Sequence, residues 1–394
     1  MAPAHSGERL HSLDALRAVA LLLGLVLHSM RPAISTPGAW AVGRDDEVDV
    51  LVWLSYYLHA FRLPVFFLMA GYFGALVVTR RGLTAWAGDR LRRVLVVFAV
   101  ALVPMKILLT LLWTWGGHRT GWLPPAQHSE SVWSLTIDTL TRERLPHLPI
   151  THLWFLYYLW LISIGWTLAA ALVTRSARIG AFAGRWAPLV LTLAVAPVIS
   201  KMHTAVVDTP DASLLWHLPV LAVYTVYFAI GWVLCGAPGL LTRLGDRANG
   251  YFLVGLALSI AGAALGLAML YPGAWELAHW RELRWALALT TSAVTACSTL
   301  GWVGLFVRYL ARPNRSLHYL AEASYWIYVV HLPVMIAFQV WWADAGAPWF
   351  VTIPIVNVAT FAVCLLSYQF LVRSTWVGAW LRGAWPRRRR VAVP

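Results

Sequence analysis

Ten apolar runs separated by polar, mostly basic segments organise this chain. They fall at about 13–31, 50–79, 93–115, 152–174, 186–200, 217–235, 250–271, 284–307, 322–342 and 349–372. Most approach or exceed the ~20 residues a helix needs to cross a ~30 Å hydrocarbon layer. The fifth run is short and the second long, so either can be broken or tilted. The pattern predicts an all-α fold: a polytopic integral membrane protein with about ten transmembrane helices. Its first partner is the lipid bilayer, and its expected location is the inner (plasma) membrane, as a multi-pass protein. No internal repeat and no Ser/Gly-rich linker interrupts the pattern. Residues 1–394 therefore read as a single transmembrane domain, with its core at about 10–375 and a basic cytoplasmic tail at 376–394. The first run carries Asp14, Arg17 and His28 and lacks a clear small-residue cleavage site, so it does not read as a cleavable signal.

Composition agrees. Sixty per cent of the residues are hydrophobic, 12% are charged, and the mean hydropathy is +0.66. Several of the 24 Trp stand at run ends, as in an interfacial aromatic belt. The three cysteines, Cys235, Cys297 and Cys364, all fall inside apolar runs, which disfavours disulfide or zinc chemistry. No metal is expected.

The charges orient the runs. With the N-terminus cytoplasmic, the cytoplasmic segments hold twenty cations against four acids, and the outer segments hold eight cations against twelve acids. The positive-inside rule then places both termini in the cytoplasm. The net charge of +14 is thus a topological signal, and the Arg387–Arg390 run suits anionic lipid rather than nucleic acid.

Ionisable residues inside apolar runs are the candidates for chemistry, because burying them in a membrane is costly. Arg17 and His28 share the first run, about 16 Å and three turns apart, so both can face one side of a bundle. His28 lies toward the outer face, where a neutral imidazole can take a proton from a hydroxyl; a packing histidine is the competing reading. Arg17 has either Asp14, one turn earlier, or a substrate anion as its partner. Arg62 is a second buried cation, close to Pro64, which is expected to loosen the second helix. Ala70-Gly71 invites close helix packing. Arg90 and Arg93 share a helical face and can grip a phosphorylated donor, although taken alone they are better explained by positive-inside topology with lipid contact. His152 and the aromatics after it suit an acceptor with sugar rings. Ser324, Tyr328 and His331 form a polar stripe on the ninth run, preceded by Glu322, which reads as a helix-start charge. No GxSxG, Walker or HExxH pattern is present.

Five stretches together resemble the acyltransferase family 3 membrane proteins. They are LDALRAVALLLGLVLH (13–28), FFLMAGYF (66–73), DRLRRV (89–94), HLWFLYYL (152–159) and ASYWIYVVHLPV (323–334). HSLDALR, HAFRLPVFFLMAGYF and EASYWIYVVHLPV look most like the glucan biosynthesis protein C branch, whose members succinylate periplasmic glucans. The resemblance implies transfer of an acyl group from cytoplasmic acyl-CoA, acetyl or succinyl, to a hydroxyl of an extracytoplasmic glycan. The family's Arg-x10-His falls on Arg17 and His28, its Arg-x-x-Arg on Arg90 and Arg93, and its later histidine on His331. The proline often found after Arg-x-x-Arg is replaced by Val94–Phe98, and Tyr-Leu-x-His reads Tyr328-Val329-Val330-His331. A secondary transporter of a sugar or organic anion is the alternative. It predicts related halves, which the sequence does not display. An assembly protein without chemistry leaves the titratable stripe unexplained.

Overall fold

The first helix packs against helices from both ends of the chain. The computed structural model describes residues 11–36, 38–43, 48–173, 186–202, 207–381 and 383. Helix α1 spans His11–Ile34, with Asp14 in its first turn and Arg31 in its last, each complementing the helix dipole. It packs on α2 (Asp49–Arg81) and on two helices from the far end of the chain, α12 (Arg315–Trp341) and α13 (Trp349–Ser367).

Between them lie α3 (Leu83–Arg90), α4 (Val96–Thr120), α5 (Val132–Arg142), α6 (Trp154–Val173), α7 (Ala187–Ile199), α8 (Leu218–Gly236), α9 (Pro238–Leu270), α10 (Ala274–Ala278) and α11 (Trp280–Tyr309). A short α14, Trp376–Leu381, follows. All ten apolar runs are helical. Among the described residues, eight helical spans are long and apolar enough to cross a membrane, and α6 has 20 residues. Helix α7 has 13 residues, a rise of about 20 Å, so it falls short of the full hydrocarbon layer. Residues 384–394, including the Arg387–Arg390 run, lie outside the described residues, as do the charged positions 44–47 and 174–185.

Three sequence expectations need correction. Helix α2 runs unbroken for 33 residues through Pro64. Pro64 is itself buried, and the hydrogen bond it forgoes does not end the helix. The third span begins ten residues earlier than expected, because α3 joins α4 through a π-helical turn at Leu91–Leu95. Glu322 is not at a helix start. Helix α12 begins at Arg315, capped by Asn314, whose side chain accepts from the Leu317 amide at 3.0 Å. Glu322 sits two turns in, 3.8 Å from His318.

Close backbone packing fixes α2 against α8. A Cβ on Gly71 would lie 2.0 Å from the Phe228 carbonyl oxygen, and one on Gly231 would lie 1.8 Å from that of Leu68. Only glycine fits both positions, as in small-residue helix crossings. Between the helices, the segments 145–151 and 207–217 clasp one another. The Ile150 and Thr151 amides both donate to the Asp211 carbonyl, at 2.8 and 3.1 Å, and the Leu214 amide donates to Pro146 at 3.0 Å.

Candidate active site

A cavity of about 980 Å³ runs inside the bundle alongside α1. This is at the upper end of ordinary ligand-site volumes. It brings together all nine residues singled out in the sequence: Arg17, His28 and Arg62; Arg90 and Arg93; His152, Ser324, Tyr328 and His331. Arg17 and His28 both line it, so the cavity follows α1 for about 16 Å. Arg90 and Arg93 come from the joint of α3 and α4, and His152 from the turn that opens α6.

One end is lined by cations with well-defined partners. Arg17 donates from Nη2 to the Ala321 carbonyl at 2.6 Å and lies 3.5 Å from Asp14. The i,i+3 pair and a cavity-facing role therefore coexist. Asp89 lies between Arg90 (3.5 Å) and Arg93 (3.4 Å). Arg93 also donates to the Leu381 carbonyl, from Nη2 at 2.8 Å and from Nε at 3.2 Å. The Tyr325 hydroxyl donates to the Arg93 carbonyl. The basic joint is thus tied to α12 and α14. Arg17, Arg90 and Arg93 outnumber their carboxylate partners, Asp14 and Asp89, and this favours an anionic ligand.

The other end is a cluster of histidines. The His28 and His331 ring centroids are 5.5 Å apart, and those of His331 and His152 are also 5.5 Å apart. His331 Nδ1 donates to the Tyr328 carbonyl at 2.7 Å and to that of Ile327 at 3.1 Å. This leaves Nε2 as the accepting nitrogen of the neutral ring. His152 Nε2 donates to the Val329 carbonyl at 3.0 Å. The Tyr328 hydroxyl donates to the His152 carbonyl at 2.6 Å, and the Ser324 hydroxyl to that of Ala321 at 2.9 Å. These hydroxyls offer a ligand their accepting lone pairs, since their protons are engaged. Among the described residues no cluster of three or more His, Cys, Asp or Glu is arranged to hold a metal ion.

His28 differs from its neighbours. Its Nδ1 is buried without a hydrogen-bond partner among the described residues. What fixes the ring is stacking on Trp40, at 6.0 Å and 9°. Trp40 in turn donates to Gln339 Oε1 at 2.8 Å, and Gln339 Nε2 donates to the His28 carbonyl at 3.1 Å. One residue on, Ser29 Oγ accepts from Asn357 Nδ2 at 2.5 Å.

Trp40, Gln339 and Asn357 were not picked out from the sequence, although Gln339 and Asn357 are polar residues inside apolar runs. His59 was quoted there but given no role. It lines the cavity and donates from Nε2 to the Val207 carbonyl at 3.0 Å.

The side wall holds a further feature. Lys106, on α4, meets Glu143, just beyond α5, at 2.5 Å, and this contact seats α5 over the cavity.

A family described as an acyltransferase domain matches residues 10–369. The chain belongs to this acyltransferase family. It is also similar to proteins named glucans biosynthesis protein C from Salmonella paratyphi B and Salmonella heidelberg. Each is 29% identical over 151 residues, 38% of this chain. The matched region spans 36% of the length of these relatives. No solved structure matches the chain. Family membership and a helical membrane fold therefore stand together, and the five motifs of this acyltransferase-family chain surround one cavity.

Proposed function

We propose that this chain is a membrane O-acyltransferase that moves an acyl group, acetyl or succinyl, from cytoplasmic acyl-CoA to a hydroxyl of an extracytoplasmic glycan. The observation that carries the reading is the single cavity lined by Arg17, Arg90 and Arg93 at one end and by His28, His152 and His331 at the other. Arg90 and Arg93 hold the donor phosphates, with the guanidinium fork suited to phosphate oxygens. Arg17 orients the donor where it turns along α1. The extended pantetheine arm then carries the thioester toward His28.

His28 acts as general base on the acceptor hydroxyl. The hydroxyl oxygen bonds to the thioester carbonyl carbon as its proton passes to His28. The C–S bond then breaks, and the thiolate of coenzyme A takes up a proton. His152, Ser324, Tyr328 and His331 line the space for the acceptor and receive hydrogen bonds from its other hydroxyls. No metal enters the scheme. The charge distribution supports an orientation with both termini cytoplasmic, in the inner (plasma) membrane. A glucan acceptor is supported by the names of the relatives.

The test is mass spectrometry of cell-envelope glycans from cells with the wild-type protein, with His28→Ala, and with neither. Acylated glycan should be present only with the wild-type protein. Undiminished acylation by a well-folded His28→Ala variant would refute the role of His28.

A further inference from the structure

One arginine in the cavity has no counter-charge among the described residues. Arg62 is 9% exposed and lines the cavity. Among the described residues it makes no hydrogen bond or ion pair, and its Nε is buried without a partner. The other arginines of the cavity are engaged: Arg17 by Asp14 and Ala321, Arg90 by Asp89, and Arg93 by Asp89 and Leu381. A guanidinium does not shed its charge, and an uncompensated charge within the membrane is costly. An anion that completes Arg62 has to arrive in the cavity or form there.

Gly24 fixes where that anion sits. A Cβ on Gly24 would lie 2.2 Å from Arg62 Nη1, so the guanidinium rests directly on the α1 backbone. Gly24 precedes His28 by one turn, about 6 Å along the axis, and follows Arg17 by about 10 Å. The unpaired cation therefore lies at the level of the base and away from the arginines suited to the donor phosphates.

A thioester is neutral as it enters. When the acceptor hydroxyl attacks, the carbonyl π pair moves onto oxygen, the new C–O bond forms, and the hydroxyl proton moves to the base. The negative charge exists only until the C–S bond breaks and the carbonyl re-forms. A fixed cation next to that oxygen is bound more strongly in the transition state than in the ground state, which is what accelerates a reaction.

We infer that Arg62 is a catalytic residue that binds the oxyanion formed on the thioester carbonyl during acyl transfer, with Gly24 as the residue that positions it. This rests on the acyl-transfer reading above.

The test uses the full-length protein in lipid nanodiscs, with acetyl-CoA or succinyl-CoA as donor and gluco-oligosaccharide as acceptor, following release of coenzyme A. Arg62→Gln should lower kcat about 100- to 1,000-fold with both donors, while KM for either donor changes little. Guanidinium added to Arg62→Ala should restore part of the rate, an effect that a purely structural arginine would not show. Gly24→Ala keeps the charge but displaces it, and should lower kcat at least about tenfold. It serves where Arg62→Gln does not fold. Three results overturn the inference. The first is wild-type kcat in a folded Arg62→Gln or Gly24→Ala variant. The second is a loss confined to succinyl-CoA, which makes Arg62 a reader of the acyl carboxylate. The third is weakened donor binding with kcat unchanged, which makes it a phosphate ligand. If the wild-type protein releases no coenzyme A, or His28→Ala is fully active, the acyl-transfer reading itself fails and takes this inference with it.

Discussion

Replacing Gln339 with Leu tests whether His28 is held for chemistry or merely for packing. Gln339 is 3% exposed and Trp40 8% exposed, so both ends of the bridge are shielded from water. The substitution leaves the Trp40 indole N–H without its acceptor at 2.8 Å, and removes the donor 3.1 Å from the His28 carbonyl. Each buried group left unpaired costs about 1–3 kcal/mol, and the apolar leucine side chain recovers part of the sum. A net loss of about 2–4 kcal/mol is expected by this count, enough to lower Tm by several degrees. The same change frees the indole on which His28 stacks at 6.0 Å. A displacement of about 1 Å at the base is worth on the order of a hundredfold in rate. Thermal melts followed by tryptophan fluorescence, alongside initial rates of coenzyme A release, measure the two effects separately. A variant with a lowered Tm and a kcat within twofold of wild type would refute the reasoning, since the bridge would then support the fold and not the base.

Gly231→Ala places a methyl 1.8 Å from the Leu68 carbonyl oxygen, so α2 and α8 must separate; the yield of monodisperse protein in fluorescence-detected chromatography should fall sharply. Lys106→Met strands Glu143, which lies 2.5 Å from the ammonium, and hydrogen exchange of residues 132–142 should rise while the rest of the bundle is unchanged. Arg90→Ala should raise the acyl-CoA KM about tenfold, one charge-assisted contact, leave kcat nearly intact, and make binding less sensitive to salt. Arg93→Ala removes two contacts to Leu381 as well, so it should also increase proteolysis after residue 381.

The spans were legible because apolar length alone decides them, and Arg17 and His28 stood out because ionisable residues in such a run are rare. Helical periodicity allowed both to face one side of a bundle, and packing brings both to the cavity wall. The supports of His28 were not legible, because Gln339 and Asn357 lie more than three hundred residues away and only packing brings them together. The same holds for Gly24, whose role depends on Arg62 from another helix. Helix α3 was hidden because Asp89, Arg90, Arg92 and Arg93 interrupt the apolar pattern just before the third run. Glu322 was misplaced because the polar residues Arg315, Ser316 and His318 begin the helix before its apolar face does.

The clasp between 145–151 and 207–217 bears on how the protein can be engineered. The Asp211 carbonyl takes both amides that lead directly into His152. A reporter or epitope inserted between 146 and 151 would therefore unseat the histidine cluster and report inactivity for reasons unrelated to topology. The turn at Gly346 has a positive φ of 61°, and a Cβ there would meet no atom within 4 Å. An insertion at that turn leaves the clasp closed, so the same fusion can map sidedness and still be assayed as a working protein.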